Sequence, residues 1–279
     1  MKTLKTKIAL LCLFAFAGDL YSQNILDGVY IKENSPARKY VPYAPLREAD
    51  VMYSKRIWRT IDLREKVNHV LYYPTVPIND RKSMFDVIKT SLLAGKLTAY
   101  NNPVLDDEFK VPMTKSELEN LFTKVDTNYV ENINTGLTEP AIVRTEMGAE
   151  DVKQYWIKED WFFDRQRSVM DVRIIGIAPL IESKTETGEV RGCKPIFWIY
   201  FPEARSVFAN AEVYNRQNDA ERRTLEDIFW KRQFGSYIHK ESNVYDRVIV
   251  EYKTGLDALL EAERVKEDLF TFEHDLWHF

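Results

Sequence analysis

Apolar positions along this chain recur with helical spacing in some stretches and with strand spacing in others, without regular alternation. In DRKSMFDVIKTSLLAGK, Met84, Phe85, Ile88 and Leu92 fall three and four residues apart. Asp80 or Ser83 is placed to cap the start of that helix, and Gly95 to end it. TKSELENLF predicts a second helix: Thr114 and Glu117 fit a capping box, and Leu118, Leu121 and Phe122 supply the buried face. Leu46–Trp58 (LREADVMYSKRIW) puts Leu46, Met52 or Tyr53, and Ile57 on one side and reads as a helix. VLYYP (Val70–Pro74) and LTAY read as short strands.

Further on, Val169–Ile181 is β-branched and apolar on both faces, with Asp171 and Arg173 sharing one side. The polar stretch ESKTETGEVRG then turns the chain, and KPIFWIYF returns, predicting a β-hairpin. PEARSVFANAEVYN and NDAERRTLEDIFWKRQFG read as helical, the latter capped by Asn218 or Asp219 and closed by Gly235. VYDRVIVEY reads as a strand. The C-terminal helix GLDALLEAERVKEDLFTFEHDLWHF aligns Leu259, Ala262, Val265 or Lys266, Leu269, Phe272 and Leu276 on one side. Between Lys124 and Glu150 no period is sustained, which predicts a linker at 125–149. The expected class is α+β, with two mixed halves (46–124 and 150–279), a hairpin in the C-terminal half and a C-terminal helix.

The first residues form a different kind of segment. Lys2, Lys5 and Lys7 precede the apolar run Ile8–Ala17, which at about 15 Å of helix is too short to span a bilayer. Residues 1–22 therefore read as a secretory signal peptide, cleaved after Ser22 or after Ala17. Cys12 lies inside the apolar run, which disfavours an acylation site. Residues 23–45, rich in Tyr, Pro and Asn, read as an extended arm that docks or stays mobile. Cleavage after Ser22 would move the formal net charge from -4 to -6. Such a balance disfavours nucleic acid and anionic lipid as partners. Cys193 would be the sole thiol of the mature chain, which excludes an internal disulfide; it sits in GEVRGCKP, which reads as a turn carrying a tolerated thiol, with an intermolecular bridge as the alternative.

Signatures of catalysis are missing: no G-x-S-x-G, H-E-x-x-H, Walker loop, G-x-G-x-x-G or paired C-x-x-C is found. His274 and His278 share the i, i+4 spacing of a metal pair, but Glu273 and Asp275 flank the first at ±1, where helical side chains diverge. A hydrolase or metal-binding enzyme using that pair is the alternative reading. His69 and His239 read as satisfied polar residues. Glu159, Asp160 and Asp164 in KEDWFFD allow a glycosidase-like reading, against solvated neighbours of an aromatic cluster. No cofactor is implied. What stands out is the content of aromatic residues, 15 Phe, 15 Tyr and 6 Trp, together with 18 arginines. These types are enriched at protein–protein contacts, and Trp161, Phe162, Phe163, Arg165, Arg167 and Trp277 are the candidate interaction residues.

YSKRIWRTIDLREKVN, FDVIKTSLLAGKLTAY, EDWFFDRQRSVMDVRIIGIAP, PIFWIYFPEAR, SNVYDR and FEHDLW together resemble the GldN/PorN family of the Bacteroidetes gliding-motility and type IX secretion machinery. The resemblance runs from about Tyr30 to the C-terminus. It implies a non-enzymatic subunit of a periplasmic ring, held under the outer membrane by a GldK/PorK-like lipoprotein. It also implies self-association in that ring and contact with a GldM/PorM-like periplasmic motor domain. No family catalytic residues are implied, and FEHDLWHF then reads as a docking or packing end.

Overall fold

The computed structural model describes residues 38–78, 81–101, 107–131, 138–184, 189–215, 218 and 220–276. The expected signal peptide, most of the arm, Trp277 and His278 lie outside these residues. A 3-10 turn at Glu48–Asp50 leads into β1 (Val51–Asp62), followed by α1 (His69–Tyr72), α2 (Met84–Leu93), β2 (Ala99–Tyr100) and α3 (Lys115–Phe122). Next come β3 (Thr123–Glu131), β4 (Thr138–Glu146), β5 (Val152–Asp164), β6 (Val169–Lys184), β7 (Val190–Pro195) and β8 (Trp198–Tyr200). The chain continues through α4 (Phe201–Phe208), β9 (Glu212–Val213), β10 (Arg223–Thr224) and α5 (Leu225–Trp230). It ends in β11 (Tyr237–Glu241), α6 (Ile249–Tyr252) and α7 (Leu256–Asp275). The class is α+β, as expected.

One antiparallel sheet in the order β11-β1-β5-β6-β8-β2, with β7 also paired to β6, organises the molecule. β1 comes from the first expected half and β5 from the second, yet they pair from Val51↔Asp164 to Asp62↔Gln154. The two-domain expectation is therefore corrected: Ser35–Phe279 forms one compact unit. Most of the expected linker is a β3–β4 hairpin registered from Thr123↔Glu146 to Glu131↔Thr138. Hydrophobic period marks strands only where one face is buried, so a ladder can form where no period shows.

Cross-strand partners share a face. Ile157, Ile177 and Ile199 thus face one side, where Tyr155, Phe85, Phe197, Phe201 and Phe208 complete the main core. Trp58, Trp156, Ala178 and Trp198 face the other. Ile57, Ile238, Ile249, Ala262, Val265 and Leu269 form a smaller core beneath α7. Within that helix Ala262, Val265 and Leu269 are buried as expected and Phe272 stacks on Tyr53 at 4.2 Å, whereas Leu259 and Leu276 are exposed.

Local chemistry explains the helices that match expectation. Ser83 caps α2 by accepting from Asp86 N at 3.1 Å, and Gly95 follows it at φ 69, where a Cβ would be strained. Thr114 and Glu117 form the capping box of α3. LTAY contributes β2, and the hairpin of β6 with β7 and β8 is present.

Five expected elements are corrected. The helix at Leu46–Trp58 is a strand from Val51: Val51, Tyr53 and Ile57 fit period two as well as 3.6, and pairing with β5 and β11 decides between them. VLYY and VIVEY are the short helices α1 and α6, each burying one aliphatic residue, Leu71 or Ile249. In α6 the alternation of β-branched residues yields to tertiary contact, because one turn seats Ile249 while exposing Val250. NDAERRTLEDIFW yields only the six-residue α5, capped by Thr224 and Asp227, while Glu212–Val213 and Arg223–Thr224 pair as strands. Cys193 lies in β7, not in a turn; burial pushes its thiol pKa up. Among the described residues no helix is long and apolar enough to cross a membrane.

Candidate interaction surface

β8 pairs with β6 only at Gly176 and Ile177, so from Val169 to Ile174 β6 has no strand neighbour opposite β5 among the described residues. The described part of the arm runs beside this open edge, held by arginines instead of a β-ladder. Arg205 of α4 donates to Val41 O at 2.6 Å, and Arg173 of β6 donates to Ala44 O at 2.6 Å. Arg38 pairs with Asp227, in the first turn of α5, at 3.0 Å. The arm's rings complete the clamp. The Arg205 guanidinium lies 4.1 Å from the Tyr43 ring centre, 4.8 Å from Tyr40 and 5.0 Å from Trp230. Tyr43 also stacks on Trp230 at 5.7 Å and sits 5.1 Å from Arg173. Burial pushes the Tyr43 hydroxyl pKa up to about 12, keeping it a neutral donor.

Beneath the clamp lies a buried ion pair. Arg205, 1 % exposed, donates from Nε to Glu226 Oε1 at 2.8 Å, with Nη2 2.7 Å from the same oxygen. The other carboxylate oxygen, Oε2, is buried without a hydrogen-bond partner. Burial raises the Glu226 pKa, and Arg205 works against that rise.

The structure places the sequence-derived candidates as follows. Trp161 is half-buried, donates to Glu159 Oε2 at 3.1 Å and lies 5.5 Å beneath Arg232. Phe162 is buried, with Arg173 5.1 Å from its ring, so it shapes the surface from below. Phe163 is half-buried. Arg165 and Arg167 are exposed on the β5–β6 turn, Arg167 bridging Asp164 at 2.7 Å and Asp171 at 3.0 Å.

The carboxylates of KEDWFFD are each held by a guanidinium. Glu159, fully buried, takes both arms of Arg232 at 2.9 and 3.1 Å; Asp160 takes Arg56 at 2.7 and 2.9 Å. Asp164 is held below the usual carboxylate range by Arg167. Adjacent strand residues point to opposite faces, so Glu159 and Asp160 do not converge on one substrate. His239 is half-buried, bonded through Nδ1 to Thr60 Oγ1 at 2.9 Å and stacked on Trp156 at 4.8 Å. Burial depresses its pKa to about 3. His274 is exposed, 3.7 Å from Asp275, and no group of three or more potential metal ligands occurs among the described residues.

Sequence reasoning missed Arg205, Glu226, Arg173 and Trp230. PEARSV reads as plain helix and EDIFWKRQFGSY as an aromatic run without a named site residue, and only the fold brings α4, α5 and the arm together. Arm tyrosines spaced three apart, Tyr40 and Tyr43, were the available signal.

No curated protein matches the chain. A family model described as "Gliding motility associated protein GldN" matches residues 46–278, from just before β1 to beyond α7. The chain belongs to the GldN family of gliding-motility-associated proteins.

Proposed function

We propose that this protein is a non-enzymatic structural subunit of a periplasmic ring that serves type IX secretion and gliding. In this reading it is tethered beneath the outer membrane by a GldK/PorK-like lipoprotein, associates with its own copies and contacts a GldM/PorM-like motor domain. The observation that carries the reading is the disposition of arginine and aromatic side chains. They clamp chain segments and neutralise carboxylates instead of framing a reactive group. A second feature supports it: α7 turns Leu256, Leu259, Leu260 and Phe270 outward, each more than half exposed. Such apolar surface suits a partner. A closed ring needs two different faces on each copy. The arm side and the outer side of α7 are the two candidates, with Arg167 and Trp161 on the former.

Co-purification from gently solubilised envelopes tests this. The expected outcome is recovery in a large assembly together with a lipoprotein. Recovery as a lone species with a turnover activity would overturn the proposal.

A further inference from the structure

Between the arm and the open edge of β6 lies a groove of 660 Å³ lined by Val41–Ala44, Trp161, Val169–Val172, Phe229, Trp230 and Glu226, among others. We propose that this groove binds an extended segment of a partner protein presenting a tyrosine or tryptophan, whose O–H or N–H donates to Oε2 of Glu226. The inference rests on the assembly-subunit reading and supplies the chemistry of one of its contacts.

Three observations converge. First, among the described residues β6 has no strand neighbour on the side away from β5 from Val169 to Ile174, and in a strand every second residue turns its backbone N–H and C=O toward the open side. An incoming extended peptide satisfies such an edge, as in strand-addition complexes. Second, Glu226 lines the groove, and its buried Oε2 lacks a donor. A buried acceptor left unsatisfied carries a desolvation cost that a ligand's donor removes. Third, the same seam already holds one such group: Tyr43, on an extended segment, is gripped by Arg205, Arg173 and Trp230.

The donor must be neutral. The negative charge of Glu226 is already matched by Arg205, and Asp171, which lines the same groove, is matched by Arg167, so a lysine would meet no uncompensated carboxylate. An aromatic residue also matches the apolar wall of Phe229 and Trp230.

The test uses the full mature chain labelled with 5-fluorotryptophan, followed by fluorine NMR. It is titrated with three capped tripeptides, Ac-Ala-Tyr-Ala-NH₂ and its Phe and Lys counterparts. The tyrosine peptide is expected to shift the Trp161 and Trp230 signals saturably, and the phenylalanine peptide to bind about tenfold more weakly, the loss of one hydrogen bond to a carboxylate. Val169→Phe, which narrows the groove without touching Glu226, is expected to abolish the shifts while the circular dichroism spectrum stays unchanged. Equal binding of the Tyr and Phe peptides, preference for Lys, or no movement of either signal would overturn the proposal. So would occupation of the groove by a second copy, seen as self-association lost in Val169→Phe. A chain that enters the envelope assembly yet ignores all three peptides defeats the groove assignment alone and leaves the ring reading standing.

Discussion

Removing Arg205 probes the seam most directly. Arg205→Met keeps the volume and the apolar stem but deletes a guanidinium that is 1 % exposed and bound to Glu226 and Val41 O. Breaking a buried pair from one side leaves the other charge uncompensated, with a typical cost of about 3–5 kcal/mol. The option of protonating the Glu226 carboxyl places the expected loss at the lower end, about 3 kcal/mol. Urea unfolding at pH 7.5 measures it. The double variant Arg205→Met/Glu226→Leu removes both charges and should recover at least about 1.5 kcal/mol of that loss, because an apolar pair needs no compensation.

Acidity supplies a second check. In Arg205→Met the Glu226 pKa, already raised by burial, rises further above its unfolded value. A raised acid stabilises the fold below its unfolded pKa and loses that contribution as pH climbs through its folded pKa. The defect should therefore be larger at pH 8 than at pH 5. Trypsin gives the structural readout: with Val41 O released, cleavage after Lys39 should accelerate. A loss below about 1 kcal/mol, or a double variant as unstable as the sum of the singles, would refute the idea that this pair anchors the arm.

Gly176→Ala is expected to destabilise by about 1–3 kcal/mol, since the new Cβ would meet Phe109 Cζ at 2.5 Å and Trp198 at 3.2 Å. Thermal unfolding checks it, and pairing the change with Phe109→Leu should recover part of the loss. His239 has a folded pKa depressed far below its unfolded value, so its contribution to stability should fade as pH drops below about 6.5. Between pH 7.5 and pH 5 the wild type should lose about 1–2 kcal/mol that His239→Gln does not, measured by urea midpoints at both pH values. Asn68 donates to Asp62 O and Gly235 O and accepts from Gly235 N, at 2.7, 2.9 and 2.9 Å. Asn68→Ala should therefore cost about 2–4 kcal/mol and speed amide exchange at Gly235; unchanged exchange would refute that role.

What the sequence made legible follows from how local each cause is. The α2 and α3 caps, Gly95 and the Ala262, Val265 and Leu269 part of the α7 stripe need only residues within one or two turns of each other, and all of them can be read from the sequence. β1 and α6 could not be, because their short apolar runs satisfy both periods and sheet pairing or one buried isoleucine settles the outcome. Arg205 and Glu226 lie 21 residues apart, and Arg205 and Val41 lie 164 apart. No pattern of propensity encodes those distances. The candidate region around Trp161 was found by composition alone, which explains why buried Phe162, half-buried Trp161 and exposed Arg167 appeared together: composition separates neither side chains that alternate across a strand nor those of the turn that follows it.

Arginine abundance has a specific physical use here. A carboxylate on a crowded sheet needs planar, multidentate donors to remain charged while half or fully buried, and Glu159, Asp160 and Asp164 each receive a guanidinium. The same forks can turn from carboxylates to peptide carbonyls and ring faces, as Arg205 and Arg173 do with the arm. A surface built this way recognises extended backbone with aromatic side chains by shape and directed hydrogen bonds, while its charges stay internally matched. Its association should then depend only weakly on ionic strength. That behaviour is expected of a durable assembly contact and not of an electrostatically steered encounter.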